Sequence, residues 1–249
     1  MHKLGVLAGE GTMKFKDTQC TYSGTWLNGM QHGNGELHYA TGAVFKGKFL
    51  EGEIVTGHYI DSEGSVFETL EQGSDSGHYV KSRLQGYGKA VYKGGDTYTG
   101  MFRDGKRSGK GTMLFNQFNE AVGAVNQAKY EGDWKFNKRN GVGEMTWSDG
   151  SKFAGTWVND CRTQGTHTMT DGTVYKGHFK NDKFHGIGSL VYAQKGVTFS
   201  AIFNQGAASN IGKLTYAQKN QIYFGEVENL QRQGVGILID PDAKLQYEG

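Results

Sequence analysis

Proline is almost missing from this sequence: one residue, Pro241, in 249, where a usual share of roughly 5% would give about twelve. That scarcity excludes a proline-rich linker and a collagen-like chain. Cysteine is nearly as scarce. Cys20 and Cys161 stand far apart, too few for a disulfide framework, and point to a reducing compartment. No apolar run approaches the ~20 residues that a membrane-crossing helix needs. The start, MHKLGVLAGEGTMKF, lacks a signal-peptide apolar region, and His2 breaks the myristoylation pattern. Charge of one sign is also lacking. The formal net charge is +2 and the pI about 8.3, short of the basic excess of a nucleic-acid-binding domain. A soluble, cytoplasmic protein with no nucleic-acid partner is expected.

Glycine and aromatics are abundant instead. There are 40 glycines, more than twice the usual share of about 7%, and 12% of residues are aromatic. Glycine without proline, together with many rings, points to tight turns between ordered strands. The residues recur in a frame: Tyr22-x-Gly24-x-Trp26-x-x-Gly29-x-x-x-Gly33-x-Gly35, then Gly42 and Phe45. Units start at aromatic residues 22, 45, 67, 98, 130, 153, 175, 199 and 223, with partial units at both ends. Most spacings are 22 to 24 residues; those after 67 and 98 are 31 and 32. The excess lies near residues 70–85 and 116–129. Both insertions are expected to protrude from an edge, because extra residues between strands do not enter a paired ladder.

Each unit reads as a β-hairpin. Tyr22–Leu27 forms the first strand, Asn28-Gly29 the turn, and Gly33–Tyr39 the second strand. Alternation puts Tyr22, Gly24 and Trp26 on one face, with Gly33, Gly35, Leu37 and Tyr39. The opposite face is polar, as in Lys176, His178 and Lys180. The predicted fold is all-β: an elongated single-layer antiparallel sheet of about nine stacked hairpins, one array over 1–249. At ~4.8 Å per strand it would extend on the order of 90 Å.

This motif resembles the MORN (membrane occupation and recognition nexus) repeat over nearly the whole chain. The resemblance implies an open antiparallel array with a groove and no enzymatic activity in the repeats. It also implies roles as cytoskeletal, ciliary (axonemal) or junctional scaffolds, with phosphoinositide binding assigned to some members. Three departures stand out. Units starting at Phe45 and Phe153 lack one residue before the second strand, leaving Gly57 and Gly165 alone. The unit at Phe67 has Thr69 and Glu71 where Gly and Trp belong. The unit at Phe199 has Ala201 for Gly. These lead to an expected irregular groove near 52–85 and 160–170.

Catalytic candidates reduce to the repeat. GKRSGKGT, residues 105–112, departs from the phosphate-loop pattern at Asp104 and Gly111, and a strand follows in place of a helix. His32 and His185 share one repeat position; the other histidines are scattered, with no metal-ligand spacing. No cofactor, metal or catalytic residue is expected. The aromatic stripe has two readings, which stay open together. The rings pack as core, or they line a groove for a helical or extended protein segment. The groove candidates are Tyr98, Phe102, Tyr130, Trp134, Phe153, Trp157, Tyr175 and Phe179. Lys106, Arg107, Lys138, Arg139, Arg162 and Lys183 suggest a basic edge, either a solvated turn edge or a surface for anionic lipid or an acidic partner. A protein-binding scaffold is the leading reading and a phosphoinositide-binding membrane adaptor the alternative. Tyr247-Glu248-Gly249 opens a further unit and suggests end-to-end or homo-oligomeric association.

Overall fold

The computed structural model describes residues 5–119, 124–242 and 245–248, with side chains outside 117–126 and 243–249. The chain divides into two compact units, Met1–Lys138 and Arg139–Gly249.

The first unit is an open antiparallel sheet. Its strands are β1 (Gly9–Lys14), β2 (Thr21–Leu27), β3 (Met30–His38), β4 (Val44–Leu50), β5 (Glu53–Ile60), β6 (Val66–Thr69), β7 (His78–Val80), β8 (Arg83–Val91), β9 (Thr97–Arg103), β10 (Lys106–Asn119) and β11 (Ala124–Lys135). They pair in sequence order, except that β6 and β7 both lie on β8. The second unit repeats the plan with β12 (Lys138–Thr146, starting at the boundary), β13 (Lys152–Val158), β14 (Cys161–Thr168), β15 (Val174–Lys180), β16 (Lys183–Tyr192), β17 (Val197–Asn204), β18 (Ala207–Tyr216), β19 (Gln221–Glu228), β20 (Gln231–Asp240) and β21 (Leu245–Glu248). Each pairs antiparallel with the next. Among the described residues the only helical pieces are three short 3-10 turns. The all-β hairpin fold expected from the period is therefore the fold observed.

The core of each unit is a layer of rings lying on glycine. Gly24 pairs with Gly35, Gly100 with Gly111 and Gly177 with Gly188. The first-strand tyrosine folds forward over its pair. A Cβ on Gly177 would lie 2.5 Å from the Tyr175 hydroxyl, and a Cβ on Gly35 would meet the Tyr22 ring. The buried hydroxyl is satisfied by a carbonyl three residues on: Tyr22 donates to Thr25 O at 2.9 Å, Tyr98 to Met101 O at 3.0 Å and Tyr175 to His178 O at 2.9 Å. Tryptophan ties a unit to the strand before it. Trp26 Nε1 donates to Gly11 O, Trp134 to Gly111 O and Trp157 to Gly143 O, at 3.1 to 3.2 Å. Glycine thus gives space to one ring and an accessible carbonyl to another, and both uses explain its recurrence.

The irregularity expected near 52–85 and 160–170 does not arise from the short units; within 52–85 the ladder is interrupted at residues 70–77. In full-length units a bulge follows the glycine pair: Gly177 faces Gly188 and His178 faces His185, so two extra residues sit on the second strand. The first glycine of the G-x-G pair sits in this bulge with left-handed backbone, φ +64° at Gly33 and +65° at Gly186, which is why glycine stands there. In the short units Lys48 faces Thr56 and Phe49 faces Ile54; Thr156 faces Gln164 and Trp157 faces Arg162. One extra residue remains instead of two. The missing residue comes out of the bulge, and the ring positions keep their register.

Both insertions also differ from expectation. Residues 116–119 and 124–129 stay in the ladder, and 120–123 lie outside the described residues. β10 and β11 stay paired from Gly109↔Trp134 to Asn119↔Ala124, so the insertion lengthens a hairpin in place of a turn. The first insertion interrupts a first strand. Phe67 and Thr69 occupy the Tyr22 and Gly24 positions on β6. The chain then leaves at Leu70 and returns at Gly77, where Gly77 N–H donates to Leu70 O at 2.7 Å. Tyr79 faces Leu84 on β8 as Trp26 faces Gln31 on β3. It is 6% exposed, packs 5.3 Å from Phe45 and donates to Phe67 O at 2.8 Å. Tyr79, not Glu71, is thus the second ring of this unit. Excising residues 70–77 joins Thr69 to His78 in the regular frame. The shortened protein should melt cooperatively within ~1 kcal/mol of the parent, since a closed loop adds little to stability; loss of the transition in a denaturant melt would show that the loop belongs to the core.

Candidate functional site

The ring-bearing face of each unit is the candidate binding surface, and it has two rows. The inner row contains the eight sequence-nominated rings. In the first unit Tyr98 lies edge-on to Phe102 and Trp134, with centroids at 5.1 and 5.4 Å, and Tyr130 meets Trp134 at 5.1 Å. In the second unit Phe153 meets Trp157 and Phe179, and Tyr175 meets Phe179, all at 5.2 Å. Edge-to-face geometry at these distances is the favoured one. The structure does bring neighbouring rings together, but it buries them: all eight are between 0 and 6% exposed. They are core, and they offer a partner almost no surface of their own.

The presented rings lie beside them: Tyr39 and Tyr92 just past the ends of β3 and β8, with Tyr59 opposite Phe45 and Phe67 opposite Tyr59. In the first unit Tyr39, Tyr59, Phe67 and Tyr92 run as a row, centroids 5.9, 6.3 and 6.1 Å apart, and all four are half-buried. Burial pushes the hydroxyl pKa of Tyr39, Tyr59 and Tyr92 above the ordinary value, so these groups stay neutral donors and acceptors. In the second unit Trp147 stacks edge-on against His167 at 5.5 Å, and Phe184 follows. Burial lowers the His167 pKa, and the nearby Arg162 charge lowers it further, so its ring is neutral near pH 7. Tyr39 was placed on the ring face from the sequence, but none of Tyr39, Tyr59 and Tyr92 was among the groove candidates. Their signal was alternation with the glycines: Tyr39 and Tyr92 stand four residues after Gly35 and Gly88, just past the ends of β3 and β8, and Tyr59 stands two after Gly57.

The basic residues do not form one edge. Lys106, Lys138 and Lys183 are exposed, whereas Arg107, Arg139 and Arg162 are half-buried and fold over the rings. Arg107 Cζ sits 4.5 Å from the Trp134 ring centroid and 5.7 Å from that of Tyr92; Arg139 Cζ sits 4.3 Å from Trp157; Arg162 Cζ sits 4.8 Å from Phe179. Each reaches the turn of the following hairpin. Arg139 Nε donates to Asp160 Oδ1 at 3.1 Å and Arg162 Nε to Asp182 Oδ1 at 2.8 Å. Arg107 finds Asn137 there and donates to its carbonyl oxygen at 2.7 Å. The three arginines are therefore clasps between successive hairpins, and Arg107 is the one without a carboxylate.

The opposite face of the first unit is charged and internally paired. Lys46 meets Glu36 at 2.9 Å and Lys110 meets Asp133 at 2.8 Å; the Lys46 hydrogen bond draws the Glu36 carboxyl below its ordinary value. The glycines of residues 105–112 have structural duties. Gly109 takes a left-handed bulge conformation at φ +67°, and Gly111 lies under Tyr98. Among the described residues no group of three His, Cys, Asp or Glu is placed to hold a metal.

Sequential antiparallel hairpins, a glycine-floored ring layer and inter-hairpin clasps define an open hairpin-repeat protein. The chain carries five MORN repeats: the pattern of that repeat matches residues 22–44, 76–97, 98–118, 130–152 and 175–197. The match at 76–97 includes Tyr79, in keeping with its place as a frame ring. The unmatched stretches include the two short-bulge units at Phe45 and Phe153, which pair as hairpins all the same. Alsin of Rattus norvegicus is 29% identical over 175 residues, covering 68% of this chain and 10% of alsin. Alsin of Homo sapiens is 28% identical over 166 residues, covering 66% and 10%. MORN repeat-containing protein 3 of Xenopus laevis is 31% identical over 117 residues, covering 47% of this chain and 39% of that protein. The chain thus spans about 10% of the alsins it matches.

Proposed function

We propose that this chain is a non-catalytic scaffold that holds a helical or extended segment of a partner protein on its ring-bearing face. The observation that carries the reading is the half-exposed row Tyr39, Tyr59, Phe67 and Tyr92, laid beside a fully buried inner row. The buried rings fix the platform, and the outer rings supply apolar contact with little conformational entropy to lose. Arg107, at the end of this row over Tyr92 and without an ion pair among the described residues, suits an acidic side chain on the segment. A cytoskeletal or ciliary setting rests on the family resemblance alone.

The test is affinity capture with the full chain, its Tyr59→Ala/Tyr92→Ala variant and Lys48→Glu on the opposite face, with thermal melts in parallel. The folded double variant should lose its captured partner, because aromatic anchors each contribute on the order of 2 kcal/mol or more, and Lys48→Glu should keep it. Retention by the double variant defeats the proposal. Vesicles with and without phosphoinositide, at two salt concentrations, form the second arm. Binding that falls with salt and is abolished by Lys106→Glu/Lys138→Glu/Lys183→Glu would replace the protein-segment reading by a lipid one.

A further inference from the structure

The outward face of the second unit carries a denser group of exposed apolar side chains than that of the first, where Leu27, Leu50 and Val91 stand on separate strands. By alternation this is the water-facing side, yet β16 to β20 expose Ile187, Ile202, Ile211, Phe224 and Val235 there. Ile187 is 75%, Val235 72%, Ile202 64% and Ile211 62% exposed. The ladder makes the row contiguous. Ile187 pairs with Ile202, and Ile211 lies diagonal to Phe224 across β18 and β19. Ile187, Ile202, Ile211 and Phe224 line one shallow depression floored by Gly212 and Gly225. A patch of five such side chains offers on the order of 500 Å², near the top of what monomers expose. With its polar rim it approaches the ~800 Å² that each partner contributes to a standard interface.

Charge placement says what covers it. Lys213 faces Phe224 and Ile211 faces Glu226 in the β18–β19 register. The four side chains therefore form a quadrilateral with an apolar diagonal, Ile211–Phe224, and a charged diagonal, Lys213–Glu226. Neither Lys213 nor Glu226 makes an ion pair among the described residues. A twofold axis lying along the apolar diagonal, in the plane of the face, sets Ile211 on Ile211 and Phe224 on Phe224. The same operation sets Lys213 of each copy against Glu226 of the other. Such a surface is complementary to itself, as an isologous interface requires. We infer that the outward face of β16–β20 pairs with a second copy of this chain, sheet on sheet with crossed strands.

The experiment is sedimentation velocity on the full chain from about 1 to 100 µM, a range that brackets typical dimer affinities, with circular dichroism as the fold check. The wild type should sediment as a dimer in the upper part of that range. Ile211→Lys, and separately Lys213→Glu, should sediment as folded monomers throughout. Lys213→Glu/Glu226→Lys should dimerise again, because the swap restores both cross-pairs. A wild type monomeric at every concentration overturns the inference, whether or not another protein covers the face. A dimer indifferent to Ile211→Lys, or a double swap that stays monomeric, overturns it as well. None of these residues lies on the ring-bearing face, so the outcome is independent of the partner-capture test.

Discussion

Gly111→Ala should cost the first unit about 3 kcal/mol, at the upper end of core overpacking. The Cβ would stand 2.5 Å from two carbons of the Tyr98 ring and closer still to its hydroxyl. The ring has no room to move. It is 0% exposed, wedged edge-on between Phe102 and Trp134, and its hydroxyl is committed to Met101 O. Two other glycines calibrate the effect. Gly42 has open space but φ +90°, so alanine there should cost about 1 kcal/mol through backbone strain. Gly94 has open space and no left-handed φ, so alanine should stay within about 0.5 kcal/mol. Denaturant melts of the three variants should rank Gly111, then Gly42, then Gly94. A Gly111→Ala protein as stable as Gly94→Ala would show that Tyr98 does not rest on that glycine.

Arg162→Ala should cost about 2 kcal/mol, a figure that combines cation–π contact with lost packing of the side-chain stem. Its side chain is 12% exposed. Its guanidinium lies 4.8, 5.4 and 5.6 Å from the ring centroids of Phe179, Trp147 and Phe153, and it holds both a carboxylate oxygen and the main-chain oxygen of Asp182. Asp182 is 58% exposed, so truncating the arginine leaves no buried orphan charge and the loss is that of the clasp itself. Arg162→Lys should recover less than half, because an ammonium lacks the planar fork that bridges both oxygens. Equal stability of Arg162→Lys and the wild type in a melt would rule out the fork as the source.

The hairpins, their faces and the ring layer were legible because a period-2 strand inside a 23-residue frame leaves few alternatives. The clasps were legible in principle but misread. Lys106-Arg107 and Lys138-Arg139 look like one basic pair each, but alternation separates the two members. Arg107 shares a face with Gly109 and Gly111, Lys106 with Lys110, and that parity already assigns one to the rings and the other to water. Tyr79 was harder to read. Eight residues inserted inside a strand move the second ring out of its place in the frame, and only the close contact of Leu70 and Gly77 restores the count. The 116–129 insertion was misjudged on physical grounds, because extra residues at a turn can pair with each other and lengthen their own ladder. The presented row was missed because the first-strand rings, being the best match to the pattern, are with the exception of Phe67 the ones the fold buries.

The bulge after each glycine pair works as a vernier. One strand of the hairpin sets the phase of the rings, and the other carries slack of one or two residues between its turn and its second glycine. A single-residue gain or loss at that point is a local event, so chain length can drift from unit to unit while ring phase stays fixed. Repeats of this kind are therefore better counted by ring pairs than by spacing.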